Sequence, residues 1–329
     1  MKIYQSKWKV FRDWCSDKDI DFRQPSTAQV AEFLLSLFEE KKLCPKTIEG
    51  YRTAIAGALK HTSDHDFGAD QSLSALLRSF NRDRPRDPSR IPEWDLSFVL
   101  FSLSREPFEP LRDKDMDLQL LTWKTCFLLL LASGARRGEV HALTHRGIKF
   151  HEKWDWVQLK PSPSFISKTQ LRTTGASALQ PMVIPSLKKR ASDKKDLTLC
   201  PVRALQIYLS RTMDRREGKD NLFVSLNKNH KGDISKNTIS GWIKKLIHRI
   251  YANGNAEACQ LAGRDVHLVR KYASTLMFSG TSDMDSLLQA CSWKSHTTFT
   301  DFYLRDLTGM EQNLLRLGPV VAAQHVVNH

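Results

Sequence analysis

Six side chains in this sequence have the chemistry to act together on a phosphodiester: Arg136, Lys168, His267, Arg270, Trp293 and Tyr303. When a nucleophile attacks phosphorus, negative charge grows on the nonbridging oxygens, and fixed guanidiniums can stabilise it by preorganised electrostatics. Arginine suits that task because its planar fork donates two parallel hydrogen bonds and keeps its charge. A tyrosine hydroxyl can serve as nucleophile, giving a covalent intermediate that stores the bond for re-ligation. Histidine can act as acid or base, and a lysine can protonate the leaving oxygen. Tryptophan offers a single N–H and a bulk that buttresses its neighbours. Other chemistries leave no trace: there is no Walker-type loop, no G-x-G-x-x-G after a strand, no H-E-x-x-H and no G-x-S-x-G. Asp113, Asp115 and Asp117 alternate with Arg112 and Lys114 and read as solvated loop carboxylates, so the expected site holds no metal and no cofactor.

Each of these residues also has an ordinary use. Tyr303 can be a helix-packing aromatic, Trp293 a core residue, and Arg136 a salt-bridge partner of Glu139 three positions on. His267 and Arg270 share one helix face if the segment from Val266 is helical, and they fit equally a hydrogen-bonded histidine and a surface arginine.

The elements that must position these groups follow from hydrophobic spacing. Val266, Val269, Ala273 and Leu276 recur at helical intervals, which predicts a helix over Asp265–Phe278 with Gly280 as a stop signal. Leu118–Ala132 predicts a buried helix closed by Ser133-Gly134, and Ala135–Val140 predicts a turn feeding a second helix. Trp154–Leu159 and Pro181–Ile184 alternate like strands, with Phe165–Gln170 between them, which points to a small antiparallel sheet. Helices are also expected at Pro201–Thr212, Thr238–Tyr251 and Met284–Cys291.

Ahead of this mixed unit the chain is helical. Tyr4, Trp8, Phe11 and Trp14 mark one helix. Val30, Phe33, Leu34, Leu37 and Phe38 mark a second, with Ser26 or Thr27 as N-cap. Ile48, Tyr51, Ile55 and Leu59 mark a third starting near Thr47, and Leu73, Leu76, Leu77 and Phe80 a fourth. Residues 1–80 therefore read as a small helical bundle. Asn81–Pro92, with three prolines and four arginines, reads as a linker. Residues 93–329 form the larger unit with its C-terminal tail. The predicted fold class is mostly α with a small antiparallel β-sheet. Lys46, Arg52 and Lys60 fall off the apolar stripe of the third helix, where they could meet DNA phosphates or simply face water.

With 329 residues, 41% hydrophobic and 26% charged, the chain has material for two ordinary cores. Its formal charge of +14 points to a polyanion, nucleic acid above all. Residues 1–90 hold 16 Lys and Arg against 13 Asp and Glu, and the remainder 34 against 23, so the second unit carries most of the excess. No lipidation signal and no apolar run long enough to span a bilayer is present, which argues against a membrane partner. The opening residues do not resemble a secretory leader. Six scattered cysteines without a C-x-x-C fit reduced thiols in a nuclear or cytosolic compartment. Lys188–Lys195 (KKRASDKK) is the densest basic run, open to a role in nuclear import, to phosphate contact, or to none.

Three segments in order carry a family resemblance. ASGARRGEV (Ala132–Val140), HLVRKYASTL (His267–Leu276) and SWKSHTTFTDFY (Ser292–Tyr303) resemble the successive boxes of tyrosine recombinases, the class that includes phage integrases. The resemblance implies an N-terminal helical core-binding domain and an α+β catalytic domain that together clamp duplex DNA. It implies that Arg136, His267 and Arg270 hold the scissile phosphate, that Glu139 supports them, and that Trp293 occupies a position held by His or Trp. Tyr303 then attacks, forming a 3′-phosphotyrosyl link and freeing a 5′-hydroxyl, without metal or ATP. Lys168, in its Ser-Lys-Thr context, matches the general-acid lysine of a β-hairpin, with Lys160 as a competitor. Ala135 stands where a larger apolar residue is common, and Lys271 where His is frequent. Cys200–Leu205 and the Trp-type last box look more like recombinases of eukaryotic mobile elements, especially DIRS-type retroelements. That implies integration of a mobile element, a nuclear location in a eukaryote or a cytoplasmic one otherwise, and a homotetramer on two double-stranded DNA sites. Met310–Leu317 would be a helix docking on a neighbouring subunit. Two alternatives share the resemblance: a type IB topoisomerase-like relaxing enzyme, and a domesticated DNA-binding protein without catalysis.

Overall fold

A computed structural model of the chain describes residues 2–85, 94–111, 117–166, 181–189, 196–227, 232–252, 267–281, 283–291, 296, 300 and 303–305. The chain divides into two compact units, Met1–Pro88 and Ser89–His329.

The first unit is built from α1 (Lys2–Asp17), α2 (Thr27–Glu39), α3 (Pro45–Leu59) and α4 (Gln71–Asp83). Ser26 caps α2 in a reciprocal box with Gln29: Gln29 N–H donates to Ser26 Oγ at 3.2 Å, and Ser26 N–H donates to Gln29 Oε1 at 2.8 Å. α3 begins two residues earlier than Thr47, because Pro45 occupies its first turn, where the missing N–H costs nothing. Asp70 caps α4 through its Oδ1, which accepts from Leu73 N–H. Phe11, Phe33, Leu34 and Ile48 fill a core shared by the first three helices, and Phe38 stacks on Phe80 at 4.2 Å between ring centroids.

The supposed linker starts later than its composition suggests. α4 continues through Asn81–Asp83, where Asn81 Nδ2 donates to Leu77 O at 2.8 Å. Arg84 lies over the Phe38 ring, donates to Leu43 O at 3.2 Å and also donates to Phe38 O. A polar, arginine-rich stretch can thus belong to a core when its guanidinium finds carbonyls and an aromatic face. Residues 86–93 lie outside the described part.

The second unit opens with α5 (Leu96–Leu103), capped by Asp95, which the sequence reading did not anticipate. α6 (Leu118–Ser133) follows, and every residue from Leu121 to Ser133 is buried. A helix buried on every face is a central one, packed on all sides, and it takes Thr122, Lys124 and Thr125 inside along with its leucines. Gly134 ends it at φ 58°, the left-handed conformation that glycine adopts without strain. Then come α7 (Arg137–His141), β1 (Leu143–Phe150), β2 (Trp156–Pro161), β3 (Met182–Pro185), α8 (Pro201–Arg211), α9 (Lys236–Tyr251), α10 (Leu268–Thr281) and α11 (Met284–Cys291). α8, α9 and α10 all pack on α6.

The strands form an antiparallel sheet in the order β1-β2-β3, with Phe150 opposite Val157 and Val157 opposite Ile184. The pairing of β1 with β2 shifts between Leu143 and Ile148. Gly147 sits there because a Cβ would lie 2.8 Å from the Lys160 carbonyl oxygen. β1 was not foreseen, since Leu143–Phe150 mixes His, Arg and Gly without strict alternation. β2 starts two residues later than expected, because Trp154 belongs to the hairpin turn at φ 58°. The predicted fold class holds: mostly helical, with a small antiparallel sheet. Phe165 and Ile166 have no regular structure, and the rest of Phe165–Gln170 lies outside the described residues, as does Met310–Leu317.

Candidate active site

The αL turn at Gly134 reverses the chain as it leaves α6 and sets Arg136 at the N-cap of α7. Glu139, three residues on, folds back over that start. Its Oε2 accepts from Arg136 N–H at 2.7 Å, and its Oε1 accepts from Arg136 Nη1 at 2.9 Å. The carboxylate is only 6% exposed, so this ion pair forms where water screens it little. An acid in the first turn of a helix is also favoured by the free N–H groups there.

α10 brings the second guanidinium to the same carboxylate. Val269, Ala273 and Leu276 are buried, and Tyr272 donates its hydroxyl to Trp94 O. This anchoring leaves Arg270 4% exposed, with Nη1 3.7 Å from Glu139 Oε2. One buried carboxylate therefore stands between two arginines that are far apart in sequence. His267 lies exposed in the turn before α10, and its carbonyl accepts from Lys271 N–H at 3.1 Å. Arg136, Arg137, His267 and Arg270 line one cleft, floored by Leu130, Ala135 and Val269. Ala135 is small and buried at that floor, which is where the sequence departs from a bulkier apolar residue.

Tyr303 reaches this cluster from the far end of the chain. It is half-buried against the main core, and the Arg270 guanidinium carbon lies 5.8 Å from its ring centroid. Its backbone is fixed by Thr275, a buried residue of α10. Thr275 Oγ1 donates to Tyr303 O at 3.3 Å and accepts from Arg305 N–H at 3.1 Å. That role is invisible in the sequence, because Thr275 reads as one more small residue on a packed helix.

Of the sequence-predicted residues, Arg136, Glu139, His267, Arg270 and Tyr303 are brought together. Lys168 and Trp293 lie outside the described residues. Lys160, the competitor of Lys168, sits exposed on β2 and does not line the cleft.

The three cations proposed for DNA in the first unit fare differently. Lys60 is exposed at the end of α3, and Lys46 pairs with Glu49 on the surface. Arg52 is committed internally. Its Nε donates to Phe67 O at 2.8 Å, Nη1 to Ser74 Oγ at 2.9 Å, and Nη2 to Gly68 O and Asp70 O at 2.8 and 2.9 Å. A guanidinium off an apolar stripe reads as solvated in sequence, but here a folded loop presents it with carbonyls.

Glu139→Gln keeps the size of the side chain and removes the charge that both arginines share. Hydrogen bonds to charged groups contribute about 1.5–3 kcal/mol, so the variant is expected to lose stability in that range. A urea unfolding midpoint measures it, and a midpoint equal to wild type would show that the carboxylate does not hold the pair.

No protein-family model matches this sequence, and no curated protein matches it. Solved structures do resemble it. The XerH site-specific recombinase, in a post-cleavage complex with a palindromic difH substrate, superposes with a TM-score of 0.50 at 13% identity, covering 86% of this chain and 68% of that one. The Tn1549 transposon integrase, in complex with circular intermediate DNA, gives a TM-score of 0.50 at 16% identity, covering 90% and 85%. The fold is that of these recombinases and integrases.

Proposed function

We propose that this chain is a DNA strand-transfer enzyme of the tyrosine-recombinase kind. The observation that carries this is the convergence of Arg136 and Arg270 on buried Glu139, with the Tyr303 ring beside Arg270. Two guanidiniums and one carboxylate leave a net positive charge for one phosphodiester, and the charge added as phosphorus is attacked falls between fixed donors. Tyr303 Oη attacks the phosphorus as its proton leaves. The P–O5′ bond breaks, the 5′-oxygen takes up a proton, and the 3′-phosphate remains on the tyrosine. Attack by the 5′-hydroxyl of another strand runs the same steps backwards. One phosphoester replaces another throughout, so the exchange consumes no ATP. His267 is the candidate for the proton near the attacking oxygen, and Lys168 for the proton on the leaving one. Trp293 keeps the part that the resemblance implies, a position held by His or Trp.

Two further features extend the reading. The net charge of +14 suits a duplex DNA partner bound through its phosphates. A homotetramer on two DNA sites, acting for a mobile element of the DIRS type in a host nucleus, would fit the composition of the last box and the Lys188–Lys195 run.

A duplex nicked near the cleavage point tests the central claim, because the short fragment released on attack diffuses away and traps the intermediate. The expected result is a denaturant-resistant protein–DNA adduct whose modified peptide contains Tyr303. An adduct on another residue, or none on any selected duplex, would overturn the proposal. Relaxation of supercoiled DNA by a monomer, without site preference, would move it toward the topoisomerase alternative.

A further inference from the structure

We infer that Arg137 and Lys236 form a second phosphate-holding pair, which takes the phosphate next to the one attacked; this rests on the strand-transfer reading. Arg137 follows Arg136 directly, yet it bonds to α9, whereas Arg136 pairs with Glu139. Its Nη1 donates to Ser240 Oγ on α9 at 2.6 Å, and Ser240 is 9% exposed. Lys236 precedes Ser240 by four residues on α9, so the two share a helix face. The Lys236 side chain runs along Gly138, with Cδ, Cε and Nζ 3.9 to 4.0 Å from where a Cβ would stand. Arg137 and Lys236 thus lie on the same side of α7. Arg137 also lines the cleft that holds Arg136, His267 and Arg270.

Charge makes this more than packing. Arg136 and Arg270 share Glu139, but among the described residues no carboxylate pairs with Arg137 or with Lys236. Two neighbouring cations without an acid repel each other, and an anion between them removes that cost. The Ser240 bond uses one donor of the Arg137 fork and fixes its direction, leaving other N–H groups for an oxygen ligand. Exposed lysines such as Lys244 and Lys245 on the same helix lack both the adjacent guanidinium and the cleft.

Equilibrium binding of the full chain to a random-sequence duplex, measured against KCl, tests the pair. Each phosphate contact adds roughly one to the slope of log K against log salt. Arg137→Gln and Lys236→Gln are each expected to lower the slope by up to about one. The double variant should lower it by about one rather than two, because both hold a single phosphate. Slopes equal to wild type in both single variants would overturn the inference and leave Arg137 as a pin between α7 and α9. Lys236 is exposed, so its variant keeps the test decisive if Arg137→Gln unfolds. On a duplex that yields the adduct, methylphosphonate replacement next to the cleaved position should slow wild type and have no further effect on Arg137→Gln. Additive losses would count against the placement. Wild type that binds but forms no adduct would sink the strand-transfer reading while the salt slopes still decide the pair. Wild type that binds no duplex would overturn both.

Discussion

Tyr303→Phe should abolish the covalent protein–DNA adduct completely while leaving duplex binding and the unfolding midpoint close to wild type. The substitution removes one oxygen, the atom that bonds to phosphorus in the proposed reaction. Two contacts that hold the residue survive. The Arg270 guanidinium keeps a ring to lie against, and Thr275 Oγ1 still reaches the backbone carbonyl at position 303. The ring stays half-buried against the core, so little apolar contact is lost. On the proposed reading, binding rests on lysines and arginines along the phosphates, which the change does not touch. The measurement pairs the nicked-duplex trap with a binding isotherm and a urea titration on the same preparation. A surviving adduct would show that another nucleophile acts, and a large fall in the midpoint would show that Tyr303 is a structural aromatic.

The parts of this site that were legible in sequence are those encoded over a few neighbouring residues. Gly134 stops α6, Arg136 follows two positions later, and Glu139 falls one helical turn on, so a single local motif announces a capped, charged turn. His267 and Arg270 announce themselves by their spacing. What joins the two motifs was not legible. That Glu139 faces Arg270 depends on α10 docking against α6, which local pattern does not report. Thr275 and Ser240 were hidden for a related reason, because a hydroxyl on a packed helix looks the same in sequence whether it bonds its own turn or another segment.

The misjudged parts have similar causes. Arg52 falls off an apolar stripe, open to phosphate or to water, and Arg84 lies in a stretch whose composition reads as a linker, yet each finds backbone carbonyls that only the fold supplies. β1 was missed because Gly147 and its shifted register break the period-two pattern that marks a strand. α5 was missed because LSFVLFSL is apolar nearly all round and carries no helical period. The helices with one clear apolar face, such as α2 and α4, were legible, and for α2 the cap Ser26 as well.

A charged cluster that no motif signalled sets the largest expected change in stability. Lys124, in the middle of α6, is fully buried. Its Nζ donates to Leu103 O at 2.7 Å, to Phe108 O at 3.2 Å and to Glu109 Oε1 at 2.5 Å. Arg203, from α8, grips both oxygens of Glu109 at 2.8 and 2.9 Å. Burial acts to raise the Glu109 pKa, but Arg203 and Lys124 together hold it below the usual range. Burial pulls Lys124 down to about 8, with Glu109 working in the opposite direction. Glu109→Ala would leave the Lys124 amine buried without its counter-charge and unable to reach water, whereas Arg203, 29% exposed, can turn outward. Removing one partner of a buried pair costs about 3–5 kcal/mol, and that loss is expected here.

Lys124→Met is expected to cost less than Glu109→Ala, because Glu109 keeps its two bonds to Arg203 and the methionine fills much of the lysine's volume. Hydrogen exchange of the α6 amides in urea reports on this unit directly. A smaller loss for Glu109→Ala than for Lys124→Met would overturn the assignment of Glu109 as the keystone. The pH dependence has a definite sign. Between about 8 and the ordinary lysine value of 10.5, the unfolded chain holds the Lys124 proton and the folded chain does not. Stability from this group therefore rises with pH through that window. Lys124→Met should remove the rise, and a slope unchanged by the substitution would assign it to other groups.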